Sequence, residues 1–339
     1  MKRRAKVALK GVAVAILAGI VAGIIYEQIG RRQDRECFPQ IGRSIDIGRR
    51  SLNIYCSGEG APAVVFDSGL GAPGYSWVYV QRQVAKFTQA CWYDRAGYGW
   101  SDPAPYPHAS AGIAKDLHAL LHAAGVTPPY VLVGASFGGF NVRLYNRLYP
   151  DEVAGVVFVD AAHEDEGIRI PRRRGRYLSP YLRKPLTLLI LAANEIGLVR
   201  LFSHRPALDP PPNSFTPQEW STDRGLAWRP STTIAVMKET ASWSSADQVR
   251  AAGGFGDRPL IVLTAGKPVP DRGDPVEEDL DRADQQVWIH ELQAQLARLS
   301  THGRQIVVKN SDHGIQFEAP EAVIEAVSGM VSEIRRTRR

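Results

Sequence analysis

A chain of 339 residues, 44% hydrophobic and 22% charged, is an ordinary globular composition with room for one large α/β domain plus an excursion, or for two small domains. Its formal charge of +6 belongs to the ends, with Lys2, Arg3, Arg4, Lys6 and Lys10 at one and Arg335, Arg336, Arg338 and Arg339 at the other. The body is left at −3, which argues against a nucleic-acid-binding face.

The basic start is followed by "GVAVAILAGIVAGIIY", residues 11–26, which carries no charge. A basic flank before such a run reads as a membrane anchor or a secretory signal. Bulky Ile24, Ile25 and Tyr26 stand where a cleavage site would need small residues. Residues 1–30 are therefore expected to form an uncleaved anchor that leaves the body of the chain outside the cytoplasm, with secretion after signal cleavage as the alternative. Residues 31–43 read as a linker off the membrane. Cys56 and Cys91, each in an apolar run, would pair in an oxidising compartment or stay as small buried thiols.

From there a rhythm begins. The runs 51–56, 63–67, 89–94, 130–134, 155–160, 260–266 and 305–310 are short, apolar and rich in β-branched residues. Most alternate with segments of helical periodicity: Trp77–Phe87, Ile113–Ala124, Asn141–Tyr149, Trp288–Leu299 and Ala322–Ile334. Strands alternating with helices predict a mostly parallel sheet covered on both faces, with ligands beyond the carboxyl ends of the strands. The rhythm lapses between Val159 and Leu260. A basic patch (171–176), a leucine-rich run (185–202), three prolines (210–212) and helical patterns at Thr233–Ser242 and Ser245–Ala252 suggest a helical cap. The expected division is a core over 44–160 and 255–335 and a cap over 161–254.

"GASFG", Gly134–Gly138, places one serine between small residues where an apolar strand gives way to a helix. A nucleophile on such a strained turn needs neighbours almost free of side chain two residues either side. A helix beginning beneath it offers unpaired N–H groups to a developing oxyanion. Ser136 needs a base, and His313 follows the last strand-like run on the same edge of the expected sheet. His118 and His122, spaced i, i+4 on a helix, could hold a metal, but no third ligand is evident in the sequence, and they read as a solvated helix face. No metal and no cofactor is called for.

These motifs resemble those of the α/β-hydrolase superfamily, and the similarity runs from about residue 45 to 330 outside the cap. "YDRAGYGWSDP" (93–103) is similar to the family's segment after its fourth strand, and "DSGLGAPG" (67–74) to its oxyanion loop. The resemblance implies an eight-stranded-type α/β-hydrolase sheet with a helical cap and an N-terminal anchor helix. It implies oxyanion donors in the backbone N–H groups of Phe137 and Leu70, and a bracing role for Asp94 and Arg95. Ser68 stands where the family usually has His. Trp77, Tyr98 and Trp100 are candidates to line the acyl side of the pocket, or to pack.

The third catalytic member is less plainly marked. Many relatives carry the acid after the strand that matches 260–266, where this chain offers Asp271 and, further out, Asp274, beyond two prolines. Others place it at the end of the strand that matches 155–160, which here is Asp160. An orienting carboxylate must be held rigidly, so Asp160 is preferred and Asp271 is the alternative. The expected function is a serine hydrolase acting on an ester-type, small-molecule or lipid-like substrate. A non-catalytic binding protein on the same fold, or a peptidase or C–C hydrolase with the same triad, are the rivals.

Overall fold

The computed structural model describes residues 2–105, 107–170, 180–202, 210–240, 244–270, 273 and 275–337. It begins with one long helix, α1 (Lys2–Cys37), whose stretch Leu9–Cys37 is long and apolar enough to cross a membrane and whose most apolar part is not buried by the rest of the chain. The strands are β1 (Arg43–Asp46), β2 (Ser51–Ser57), β3 (Ala63–Asp67), β4 (Ala90–Tyr93), β5 (Tyr130–Ala135), β6 (Val153–Val159), β7 (Leu260–Ala265) and β8 (Gly303–Val308). Helices α2 (Val78–Val84), α3 (Ser110–Ala123) and α4 (Gly138–Leu148) alternate with them. Between β6 and β7 lie α5 (Pro180–Glu195), α6 (Leu198–Phe202), α7 (Pro217–Ala227), α8 (Pro230–Thr240) and α9 (Ser244–Arg250). The chain closes with α10 (Pro275–Gln286), a π-helical segment Val287–Gln293, and α11 (Pro320–Thr337).

The eight strands form one sheet in the order β1-β2-β4-β3-β5-β6-β7-β8. The β1–β2 and β2–β4 pairs are antiparallel and the rest are parallel. Strands β3, β4 and β5 are buried along their whole length, which is why they read as unbroken apolar runs rather than as alternating patterns. Their side chains still divide by parity. Val65, Tyr130 and Leu132 pack with Leu117 and Leu121 of α3 and Val142 of α4, while Val64, Phe66, Val131 and Val133 pack with α2 and α11 on the other face. β1 had no signal in the sequence because "RSID" is short, polar and at the sheet edge, where little of it is buried.

Two expectations change. Residues 31–37, read as linker, continue α1 as helix. That end of the helix is docked on the body: Glu27 is buried and paired with Arg31 at 2.8 Å and Arg200 at 2.9 Å, and Arg200 also reaches Asp34 at 2.9 Å. Helices α7 and α10 were not anticipated. α7 starts at a reciprocal capping box in which Thr216 accepts from the Glu219 N–H while Glu219 accepts from the Thr216 N–H.

Cys56 and Cys91 face each other across β2 and β4 and are joined by a disulfide, while Cys37 is a free, exposed thiol. Alkylation of the unfolded, unreduced protein should therefore label Cys37 alone, with Cys56 and Cys91 labelled only after reduction. Peptide mass mapping reads both outcomes, and labelling of Cys56 without reductant would show that the bridge does not form.

Candidate active site

The parallel register brings Ala135 of β5 opposite Val159 of β6. The next residue of each strand, Ser136 and Asp160, is left-handed, with φ of 48° and 41°, and no other non-glycine residue described has a positive φ. Such angles strain a residue with a side chain, so surrounding bonds must hold them. The Ser136 N–H donates to Val159 O at 3.1 Å, and the Asp160 N–H donates to Leu263 O at 2.8 Å. The flanking glycines fit this turn. A Cβ on Gly134 would meet the Gly138 carbonyl oxygen at 2.8 Å, and one on Gly138 would meet the Asp67 carbonyl oxygen at 2.5 Å.

His313, in the loop after β8, faces both residues. Its Nε2 lies 3.0 Å from Ser136 Oγ and its Nδ1 lies 2.6 Å from Asp160 Oδ2. The remaining oxygen of Asp160, Oδ1, accepts from the Ala265 N–H at 2.9 Å and from the Trp288 indole N–H at 2.8 Å. The carboxylate is almost fully buried, while the imidazole is largely open to solvent. Asp271 and Asp274 lie outside the described residues. Asp312 turns away from Ser136 and accepts from the Gly314 N–H at 3.2 Å.

Trp288 was not anticipated as a site residue. It sits on the π-helical segment, where an extra residue in the turn re-aims side chains. Gln293 of the same segment donates to Ala161 O at 2.7 Å, and Gln305 of β8 donates to Ile289 O at 2.9 Å. The periodicity of 288–299 reads as ordinary helix, so the sequence carried no sign of this.

The loop after β3 is fixed by charge. Arg95 donates to Asp67 Oδ1 at 2.9 Å, Ser68 O at 2.6 Å and Gly69 O at 3.0 Å. On its other side it meets Glu239 of α8 at 2.7 Å and 3.2 Å. Burial works against the Arg95 charge, but Glu239 and Asp67 outweigh it and hold the guanidinium well above its ordinary pKa. Burial pushes the Tyr93 and Tyr98 hydroxyls up, so they act as neutral donors, to Asp67 at 2.7 Å and Glu239 at 2.6 Å. Asp94 accepts from the N–H groups of Gly74 and Trp100 and from Asn53. Asp94 and Arg95 thus brace the loop, as their family counterparts would. Glu239 had no local sequence signal, since its partner lies 144 residues away.

Leu70 is partly exposed beside this loop, and a Cβ on Gly69 would come within 3.2 Å of Ser136 Cβ. Among the described residues no hydrogen bond engages the N–H of Leu70 or of Phe137. The three aromatic candidates have other partners. Trp77 is fully buried against Phe66, Tyr98 is bound to Glu239, and Trp100 joins a cluster with Tyr75 and Trp92 while donating to Phe38 O at 2.9 Å. Packing and bracing account for all three. Away from the site, the pairing of His118 and His122 gains the third polar group that the sequence did not show. Glu152 stands 3.2 Å from His118 Nδ1 and 2.8 Å from His122 Nε2, and Tyr145 donates to it at 2.5 Å. The cluster ties α3 to the start of β6.

This is the architecture of an α/β hydrolase, and the chain belongs to the alpha/beta hydrolase family, whose model matches residues 64–326. It is 26% identical over 320 residues to the "Probable transporter efuK" of Hormonema carpetanum, covering 85% of this chain but only 42% of that one. An "AB hydrolase superfamily protein" of Gibberella zeae is 24% identical over 296 residues, 81% of this chain and 87% of its own. Among solved structures, a thermophilic esterase from Thermogutta terrifontis superposes with a TM-score of 0.59 at 20% identity, over 87% of this chain and 99% of its own.

Two substitutions test the supports. Glu239→Ala removes one of the two carboxylates that pair with the buried Arg95 and leaves Asp67 alone against it, which should lower stability by about 3 kcal/mol in urea denaturation. Trp288→Phe removes one donor from Asp160 without emptying the space, and should lower turnover on the order of ten-fold while KM stays put. A wild-type rate in Trp288→Phe would show that the Ala265 N–H is enough to hold the carboxylate.

Proposed function

We propose that the protein is a membrane-anchored serine hydrolase that cleaves an ester-type carbonyl substrate through an acyl-enzyme on Ser136. The observation that carries this reading is the unbroken relay from Ser136 Oγ through His313 to the buried Asp160 carboxylate. His313 Nε2 takes the hydroxyl proton as Ser136 Oγ attacks the carbonyl carbon, and Asp160 keeps Nδ1 protonated and stabilises the imidazolium. The imidazolium then gives its proton to the leaving alkoxide as the tetrahedral intermediate collapses. Water, deprotonated by the same nitrogen, releases the acid and returns Ser136 to its starting state.

The oxyanion forms beside the N–H groups of Phe137 and Leu70. In a trans peptide the C=O and the following N–H point in opposite directions. Because Arg95 holds the Gly69 carbonyl, the Leu70 N–H of the same peptide unit is turned away from Arg95, and among the described residues it has no acceptor. Phe137 precedes α4, so its N–H adds the pull of a helix start. The apolar α1 would hold the enzyme at a membrane, and the Cys56–Cys91 bridge fits a catalytic body outside the cytoplasm.

A fluorophosphonate probe should label the wild-type protein and spare Ser136→Ala. Absence of labelling in the wild type would sink the hydrolase reading in favour of a binding protein. On a short-chain p-nitrophenyl ester, Asp160→Asn should cost on the order of 10⁴-fold in turnover, while Asp271→Asn keeps the wild-type rate. The reverse order would move the acid to Asp271.

A further inference from the structure

Helix α5 is built the wrong way round for a helix in water. Its inward positions include the polar Thr187 and Asn194, at 2% and 6% exposure, while Leu186, Leu188 and Leu189 stand out at 39%, 50% and 66%. Beyond the turn at Gly197, α6 adds Leu198 and Leu201 to the exposed apolar set. A surface helix in water turns its polar side outward, and a contiguous apolar patch marks an interaction surface.

What meets this patch follows from where the hairpin is fixed. The α5–α6 turn packs on α1: a Cβ on Gly23 would lie 2.3 Å from Ile196 O, and Gly197 abuts Tyr26 and Glu27. Arg200 of α6 pairs with Glu27, and Arg31 of α1 reaches Glu195 of α5 at 3.2 Å. The turn is therefore clamped where the uncharged run 11–26 gives way to charge. Those 16 residues rise about 24 Å, and with Lys10 and Glu27 at their ends they fit a hydrocarbon core of about 30 Å. Gly23 lies four residues, about 6 Å along the axis, inside the Glu27 boundary. The turn that joins α5 and α6, with exposed leucines on both sides of it, thus sits beside α1 at the level where a bilayer would meet water.

We propose that the α5–α6 hairpin seats in the surface of the bilayer that holds α1, placing the cap against lipid, and that the substrate is an ester carried in that lipid phase. This rests on the anchored-hydrolase reading above. The hairpin is close to the chemistry in the fold: α5 packs on α8, and α8 supplies Glu239 to Arg95 and Val236 to the neighbourhood of Gly71. One helix separates the proposed lipid contact from the oxyanion loop.

The test uses the full chain in phosphatidylcholine–phosphatidylglycerol vesicles, on a Cys37→Ser background in which Cys56 and Cys91 remain bridged. Nitroxide labels are placed singly through Leu189→Cys, Leu201→Cys, Leu17→Cys in the anchor and Glu59→Cys as an aqueous reference. Collision with oxygen is compared with collision with a nickel chelate. Labels at 189 and 201 should meet oxygen several-fold more readily than nickel, as the label at 17 does. If 189 and 201 match Glu59→Cys while 17 reports lipid, the hairpin proposal fails and the anchor stands. If 17 is also aqueous, the anchored reading fails with it. Protection of 189 and 201 from both reagents means a protein covers the patch, which likewise overturns the proposal. In parallel, the double variant Leu189→Glu/Leu201→Glu should lose on the order of ten-fold in activity on a vesicle-borne ester relative to a water-soluble one. An unchanged ratio would separate lipid contact, if present, from substrate supply and overturn the second half of the proposal.

Discussion

The pairing of Ala135 with Val159 is the constraint on which the site depends. Because those residues are partners in adjacent parallel strands, the next residue of each strand, Ser136 and Asp160, leaves the sheet at the same level. A slip of one residue would send Asp160 to the opposite face and leave His313 without its carboxylate. The register is protected in two ways. Both strands are buried on both faces, so a slip would exchange the valines of one core layer for those of the other. At the far end the pairing steps from Tyr130 with Val153 to Val131 with Gly155, a bulge that pins the alignment before the site is reached.

Around this pair the charges are placed so that each buried ion has a partner. Asp160 is satisfied at both oxygens by His313, Ala265 and Trp288. Arg95 gathers the carbonyls of the β3 loop with Nη1 and Nη2 and Glu239 of the cap with Nε and the same Nη2. The loop is therefore shaped by an ion that shares its counter-charge between Asp67 of β3 and Glu239 of the cap. An inserted cap that could swing freely would strip that guanidinium of one of its two buried carboxylates, a loss of a few kcal/mol out of the stability of a domain. The docking of α8 and the geometry of residues 67–70 are consequently one structural problem, solved once.

What the sequence showed and what it hid divide along the range of the interactions. Strand runs, the glycines around Ser136 and the position of His313 depend on local pattern, and each was legible. The preference for Asp160 over Asp271 rested on rigidity at a strand end, and the described geometry places Asp160 against His313. Trp288 was hidden because a π-helical turn and an α-helical turn share nearly the same apolar spacing. Glu239 was hidden because nothing near it distinguishes a charge bound for a buried arginine from one bound for water. The same blindness made 31–43 look like linker: its charges, Arg31 and Asp34 among them, read as solvated until Glu195 and Arg200 were brought to the same place by the cap.

That last contact ties the long apolar helix to the rest of the chain. The end of α1 is held by more than ion pairs. Arg229, between α7 and α8, donates to Asp34 O at 2.7 Å and to Gly99 O at 3.0 Å, while Phe38 packs on Gly225 and accepts from Trp100 through its carbonyl. Gly99 and Trp100 belong to the segment that begins with Asp94 and Arg95. A helix joined to its domain by a flexible tether lets the domain sample every orientation above a membrane. Here the helix continues to Cys37 and is bonded to the cap and to the segment that braces the loop after β3. On the proposed anchored reading, the angle of α1 would fix which edge of the sheet faces the bilayer, and an apolar α5–α6 patch beside it would cost nothing in solubility with that edge never turned toward water. The polar interior and apolar exterior of α5, unfavourable in a free domain, become consistent with the fold once the anchor is counted as part of it.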